Sequence, residues 1–182
     1  MQATWNCSLD VSCMPRCNGF PAIERADARI LVLGSLPGQK SISEQQYYAH
    51  PQNAFWPIMR ELFGVEGDYF DRCEQLKEQR IALWDVLYSS VRPGSMDADI
   101  QLQSAQPNDF PDFFAQHPAV ELLAFNGRKA EQMFRRFVDE ATIPGSMRRV
   151  GLPSTSPAYA AMRFSGKLLA WRNALVSLSE QQ

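Results

Sequence analysis

Positions 30–56 read ILVLGSLPGQKSISEQQYYAHPQNAFW, Ile30 through Trp56. The opening Ile30-Leu31-Val32-Leu33 is apolar at every position, without the alternation of a half-solvated strand, which is the pattern of a strand buried on both faces. It runs at once into Gly34-Ser35-Leu36-Pro37-Gly38, where glycine and proline end regular structure. The loop that follows carries two adjacent tyrosines, His50 and Asn53 but almost no charge. Such a loop at a strand end suits a flat, weakly charged ligand.

Outward from this stretch, short apolar runs alternate with amphipathic segments. The runs predict strands over 30–33, 81–84, 120–125 and 149–152. Helical spacing predicts helices over 54–63, 69–79, 108–116, 128–138 and 164–179, the third capped by Asn108. In the fourth, Met133, Phe134 and Phe137 form an apolar stripe that reads as core. The alternation predicts an α/β fold of three layers, α/β/α, around a central, mostly parallel four-stranded sheet. Length makes 1–182 a single domain. Residues 1–28 lack a clear period and contain Pro15, Gly19 and Pro21, and so read as an irregular N-terminal arm. Ligands of such sheets bind beyond the carboxyl ends of the strands, a rule that selects the loops 34–53, 85–99, 126–129 and 153–163.

A chain of 182 residues, 45% hydrophobic and 21% charged, is globular and large enough to bury a substantial core. Its net charge of −2 gives no bulk attraction to nucleic acid, but the charge is uneven. Through residue 125 there are 9 basic and 16 acidic residues, and from Asn126 onward 9 basic and 4 acidic. That split allows a basic face, or is simply a difference between helices. No stretch approaches the roughly 18 apolar residues of a membrane helix, and the N-terminus lacks a basic-then-apolar leader. The expectation is a cytoplasmic, bacterial-type protein with no membrane partner. Of Cys7, Cys13, Cys17 and Cys73, the first three could bind zinc or an iron–sulfur cluster, but familiar zinc sites use closer pairs and the fourth cysteine is far away, so all four read first as reduced thiols.

Three loops carry unusual chemistry. Gly34-Ser35-Leu36-Pro37-Gly38-Gln39-Lys40-Ser41 nearly spells a phosphate-binding loop, but Gln39 stands where the motif needs glycine, and Pro51 soon follows. Asn53 could offer its amide to a ligand, although its spacing before Ala-Phe-Trp-Pro-Ile-Met reads first as a helix N-cap. Phe55 and Trp56 read as core aromatics. Asn126, at the end of an apolar strand, is equally a ligand group or a turn residue. The segment Pro153-Ser154-Thr155-Ser156-Pro157 could grip phosphates or be a plain turn before a helix.

Together these loops resemble the uracil-DNA glycosylase superfamily. The first carries the strand-Gly-x-x-Pro-Gly opening and the signature His50-Pro51-Gln52-Asn53-Ala54-Phe55-Trp56, and Pro153-Ser154-Thr155-Ser156-Pro157 is similar to the second motif. Two departures from the common pattern are informative. Leu36 stands where many members place the Asp or Asn that positions the attacking water, and Leu152 stands where the second motif often begins with His. Gln46-Tyr47-Tyr48-Ala49-His50-Pro51 together with Leu152-Pro153-Ser154-Thr155-Ser156-Pro157 instead resembles the hypoxanthine-DNA (deoxyinosine) glycosylase branch. Tyr159 departs from the smaller or amide residue expected there.

The resemblance implies a monofunctional glycosylase that flips a deaminated base out of double-stranded DNA and hydrolyses its N-glycosidic bond, leaving an abasic site, with no metal or organic cofactor. Hypoxanthine is the first expected base, with uracil and xanthine as further candidates. It assigns catalysis to Asn53, assisted by Asn126. It places Gly34, Leu36, Tyr48 and Phe55 around the base, with Tyr48 stacked on it and Tyr47 packed behind. Ser154, Thr155 and Ser156 would hold the DNA strand, Met162 would wedge into the stack, and Arg163 would meet a phosphate. Asp85 ends its strand either at the pocket or in a structural turn. A monomer is expected. The other readings are a non-catalytic binder of damaged or mismatched DNA and a nucleotide hydrolase centred on Lys40.

Overall fold

The computed structural model describes residues 16–94 and 96–179. The chain runs β1 (Arg16–Asn18), β2 (Ile30–Gly34), α1 (Gln39–Glu44), α2 (Phe55–Phe63), α3 (Tyr69–Glu78), β3 (Ile81–Asp85), β4 (Leu87–Val91), β5 (Gln106–Pro107), α4 (Phe110–Gln116), β6 (Leu122–Asn126), α5 (Arg128–Phe137), β7 (Arg148–Leu152) and α6 (Phe164–Ser179). The four apolar runs form one sheet in the order β3-β2-β6-β7, with every neighbouring pair parallel. Register brings Gly34 opposite Asp85 and Asn126 opposite Leu152. Four strand ends therefore open on one edge.

The layers follow from the unbroken apolar runs. Along β2, Leu31 and Leu33 pack with Phe110 and Phe113 of α4 and Met133 and Phe134 of α5. Ile30 and Val32 point the other way, into a core with Ile58 of α2, Leu76 of α3 and Trp171 of α6. A strand buried on both faces has no solvent side, hence no alternation. Truncating Leu33 to Ala should cost about 2–5 kcal/mol, because so enclosed a site cannot collapse around the void. The three-layer α/β/α arrangement is thus the one its sequence predicts.

Two expectations need correction. The N-terminal segment is not wholly irregular. β1 pairs antiparallel with β4, which also pairs with β5, and Ile23 exchanges backbone hydrogen bonds with Leu83. A strand of three residues leaves too short a pattern to read. Cys7 and Cys13 lie outside the described residues, while Cys17 and Cys73 are free thiols. Asn108 does not cap α4: Asp109 does, accepting from the Asp112 N–H at 3.0 Å, and Asn108 Nδ2 donates to the Asp85 carbonyl at 2.8 Å.

Of the two readings left open for the uneven charge, the structure favours a difference between elements. Parallel strands divide the basic C-terminal half between two edges. Arg128, Lys129 and Arg163 stand where chains leave the strand ends for α5 and α6, whereas Arg135 and Arg136 end α5, and Arg148 and Arg149 begin β7. Arg135 is paired with Glu131 and Arg149 with Glu140. The basic residues of this half therefore do not form one continuous face.

Candidate active site

Beyond the open edge lies a cavity of about 480 Å³ walled by all four selected loops, a volume in the ordinary range for small-molecule sites. Gly34, at the end of β2, forms part of its floor. A side-chain carbon there would collide with Asp85 Oδ1 and approach Tyr48 Oη to 3.2 Å. Glycine is needed because two polar groups from other segments lean across it.

Asp85 is 3% exposed, and its Oδ2 has no hydrogen-bond partner among the described residues. Burial pushes its pKa up to about 8. That rise already includes a push from the nearby Asp97 and an opposing pull from Arg92. Arg92 is itself buried, but its guanidinium donates to the carbonyls of Leu36 and Pro37, bracing the Gly34-to-Gly38 turn rather than pairing with Asp85. Asp97 accepts from Ser35 Oγ at 2.6 Å.

Tyr48 lines the cavity with its ring tilted onto Phe55, centroids 4.3 Å apart. Its φ of +54° is costly for a bulky residue and is sustained by surrounding packing. The hydroxyl is buried without a partner among the described residues, and burial holds it protonated far above the ordinary tyrosine range. It lies close to the Asn126 amide, but that amide is taken at both ends by Thr155. Asn126 Nδ2 donates to Thr155 Oγ1 at 2.8 Å, and Asn126 Oδ1 accepts from the Thr155 N–H at 2.9 Å. Tyr47 packs behind, as expected, with its hydroxyl 3.3 Å from the Phe20 and Pro21 carbonyls.

Asn53 is not the N-cap its spacing predicts, since that position falls to Ala54. Asn53 Oδ1 instead accepts from the Phe55 N–H at 3.0 Å. The residue still lines the cavity, with Nδ2 and the second oxygen lone pair left for a ligand. The Ala54 N–H donates to the Thr155 carbonyl at 3.0 Å, so the Asn53 and Asn126 loops are tied through one residue. Gly127, at φ +94°, lets the chain turn against Ser154.

The remaining expected residues divide. Leu36, Ser154 and Ser156 line the cavity. Phe55 does not: fully buried between Tyr48, Trp56 and Trp171, it stands one layer behind the surface a base could touch. Thr155 is 1% exposed and holds Asn126 instead of facing a DNA strand. Met162 and Arg163 lie just before α6, outside the cavity wall. Lys40 sits on the rim, paired with Glu44 at 2.7 Å, on a helix of six residues rather than the long one a phosphate-binding loop feeds. Lys167 escaped the sequence reading. It is 5% exposed, donates to the Ser156 carbonyl at 3.3 Å and lies 5.3 Å from the Tyr159 ring centroid, with burial lowering its pKa. A lysine one helical turn into α6 gives no local sign that it folds back beneath a loop.

Among the described residues, no three His, Cys, Asp or Glu side chains converge as metal ligands, and no helix is long and apolar enough to cross a membrane. The family description "Uracil DNA glycosylase superfamily" matches residues 20–177. A hypoxanthine DNA glycosylase of Methanosarcina acetivorans is 41% identical over 115 residues, 62% of this chain and 72% of the relative, and one of Methanosarcina barkeri is 38% identical over the same shares. A protein of M. acetivorans solved by solution NMR as a proposed uracil DNA glycosylase superposes with a TM-score of 0.68 at 35% identity, covering 88% of this chain and 99% of that one. These similarities agree: the chain belongs to the uracil DNA glycosylase superfamily and is a DNA glycosylase.

Proposed function

We propose that this glycosylase acts on hypoxanthine, the deamination product of adenine, in double-stranded DNA, as a cytoplasmic monomer. The observation that carries the reading is the meeting of two uncharged amides, Asn53 and Asn126, with the Tyr48 ring at one cavity. The names of the two Methanosarcina relatives support the choice of base.

The flipped nucleotide enters with its base against the free face of Tyr48. Extrusion costs a few kcal/mol and least for a mispaired base. As the bond to the sugar lengthens, positive charge grows on the sugar and negative charge on the base. Asn53 orients a water toward the sugar through its spare oxygen lone pair. An amide does not remove a proton, so its contribution is positioning. Asn126, already fixed by Thr155, needs no reorganisation to present the second N–H of its Nδ2 to the base. The loop bearing Ser154 and Ser156, held from below by Lys167, faces the DNA strand, and Arg163 adds charge to a phosphate.

Single-turnover release from matched duplexes carrying one inosine, uracil or xanthine tests the substrate. Fastest release from inosine is expected. Faster release from uracil would reassign the base, and equal release from all three would show a pocket that reads only deamination.

A further inference from the structure

The base pocket contains a group that the mechanism above does not use. Asp85 lines the cavity, carries a buried unpartnered oxygen and leans over the glycine that floors the site. We propose that Asp85 acts as a neutral carboxylic acid whose O–H donates to the exocyclic oxygen of the flipped base, stabilising the negative charge that develops there. This rests on the reading of the site as a hypoxanthine pocket.

The surroundings explain why the acid stays neutral. Asp97 faces it from the turn 97–99, and Tyr47 and Tyr48 face it from the loop before α2. Arg92, the cation nearest it, spends its guanidinium on the Leu36 and Pro37 carbonyls. Lys40 and His50 stand on the exposed cavity rim, Lys40 already paired with Glu44. An ionised Asp85 would have no ion pair and would face a second carboxylate, so it is pushed up to about 8. A neutral acid is a donor where a carboxylate can only accept. Donors preorganised toward developing charge in a dry site accelerate reactions strongly, and a carboxylic acid kept protonated by its site can serve as one.

The step balances simply. The bond between sugar C1′ and purine N9 breaks with its electron pair on the base, and the charge spreads to O6, where Asp85 donates. The water oxygen bonds to C1′, one water proton goes to solvent and the base takes up one. Asp85 keeps its own proton throughout. Adenine presents an amino group where hypoxanthine presents O6, so the same donor favours the deaminated base.

The test pairs two variants with two substrates: Asp85→Ala and Asp85→Asn, on duplexes carrying inosine or 2′-deoxynebularine, a purine without the 6-oxygen. Asp85→Ala is expected to slow release from inosine about 100-fold, the usual loss for one such donor, and to leave nebularine unchanged. Asp85→Asn, whose amide still donates, is expected to keep most of the inosine rate. It should also show a flat pH profile where the wild type falls as pH rises through about 8. Equal losses on both substrates would make Asp85 structural. A dead Asp85→Asn variant with a wild-type rate rising through pH 8 would make it a general base. Either result overturns the proposal while leaving a hypoxanthine glycosylase in place; no wild-type release from inosine would reject both readings.

Discussion

Two cavities among the described residues are of similar size and opposite character. The larger, about 550 Å³, lies beside α4, where Trp84, Phe113 and His117 stack with centroids 5.2 and 4.2 Å apart. Its polar groups are satisfied: Trp84 Nε1 donates to the Phe20 carbonyl at 3.1 Å, His117 Nδ1 meets the Phe113 carbonyl at 2.8 Å and His117 Nε2 meets Glu24 at 2.9 Å. The smaller, about 480 Å³, lies at the strand ends, and it is lined by every described residue with a buried, unpartnered side-chain nitrogen or oxygen, namely Tyr48, Asp85 and Arg92. Folding alone does not favour such atoms, since each unpaired group costs about 1–3 kcal/mol. Unmet hydrogen bonding, rather than volume, separates the candidate active-site cavity from the other.

Substitutions should separate the two regions in the same way. The largest effect is expected from Asn53→Ala, about 100-fold slower base release through lost water positioning, with binding to abasic DNA preserved in a gel-shift titration. Next, Tyr48→Ala should weaken capture of the flipped base by roughly 10- to 100-fold, since stacking on one base is worth about 1–3 kcal/mol. Tyr48→Phe should retain the capture, read from the concentration dependence of the single-turnover rate. A smaller loss, about threefold to tenfold in DNA affinity, is expected for Lys167→Met, which releases the Ser156 carbonyl. Its salt dependence should stay unchanged, whereas Arg163→Ala should reduce the salt slope by about one. In the larger cavity, His117→Ala should lower stability by about 1–3 kcal/mol and leave base release unaltered. Loss of activity there would erase the distinction.

Asp85 adds a stability signature of definite sign. Its folded value of about 8 lies above the ordinary 3.8, so the stability tied to its proton is full below about pH 4 and is lost as pH rises to about 8. Asp85→Asn should therefore melt higher than the wild type at pH 9, with the advantage shrinking toward pH 4 in thermal unfolding.

Much of the fold was legible because its determinants are local. The run 30–33 announces a doubly buried strand, as do the apolar runs of β3 and β6, whereas β7, with Arg148, Arg149 and Gly151, is largely exposed and shows a weaker pattern. β1 and β5, three and two residues long, carry no period and exist only through pairing with β4. The site was legible as far as motifs reach: Asn53, Tyr48, Asn126 and the Ser154 loop meet at one cavity. Arg92 and Lys167 were missed because their roles depend on carbonyls 55 and 11 residues away. Thr155 and Phe55 were placed one layer too far out, because a motif gives order along the chain but not which side of a loop faces inward. Asp85 stayed undecided because only the register of β3 against β2 brings it over Gly34.

The most direct test is single-turnover release of hypoxanthine from an inosine-containing duplex in EDTA, with wild type and Asn53→Ala measured together. Release by the wild type, with the variant slowed about 100-fold yet still binding abasic DNA, is the expected result. Equal release by both would remove Asn53 from the chemistry, and no release by either would contradict the account at its centre.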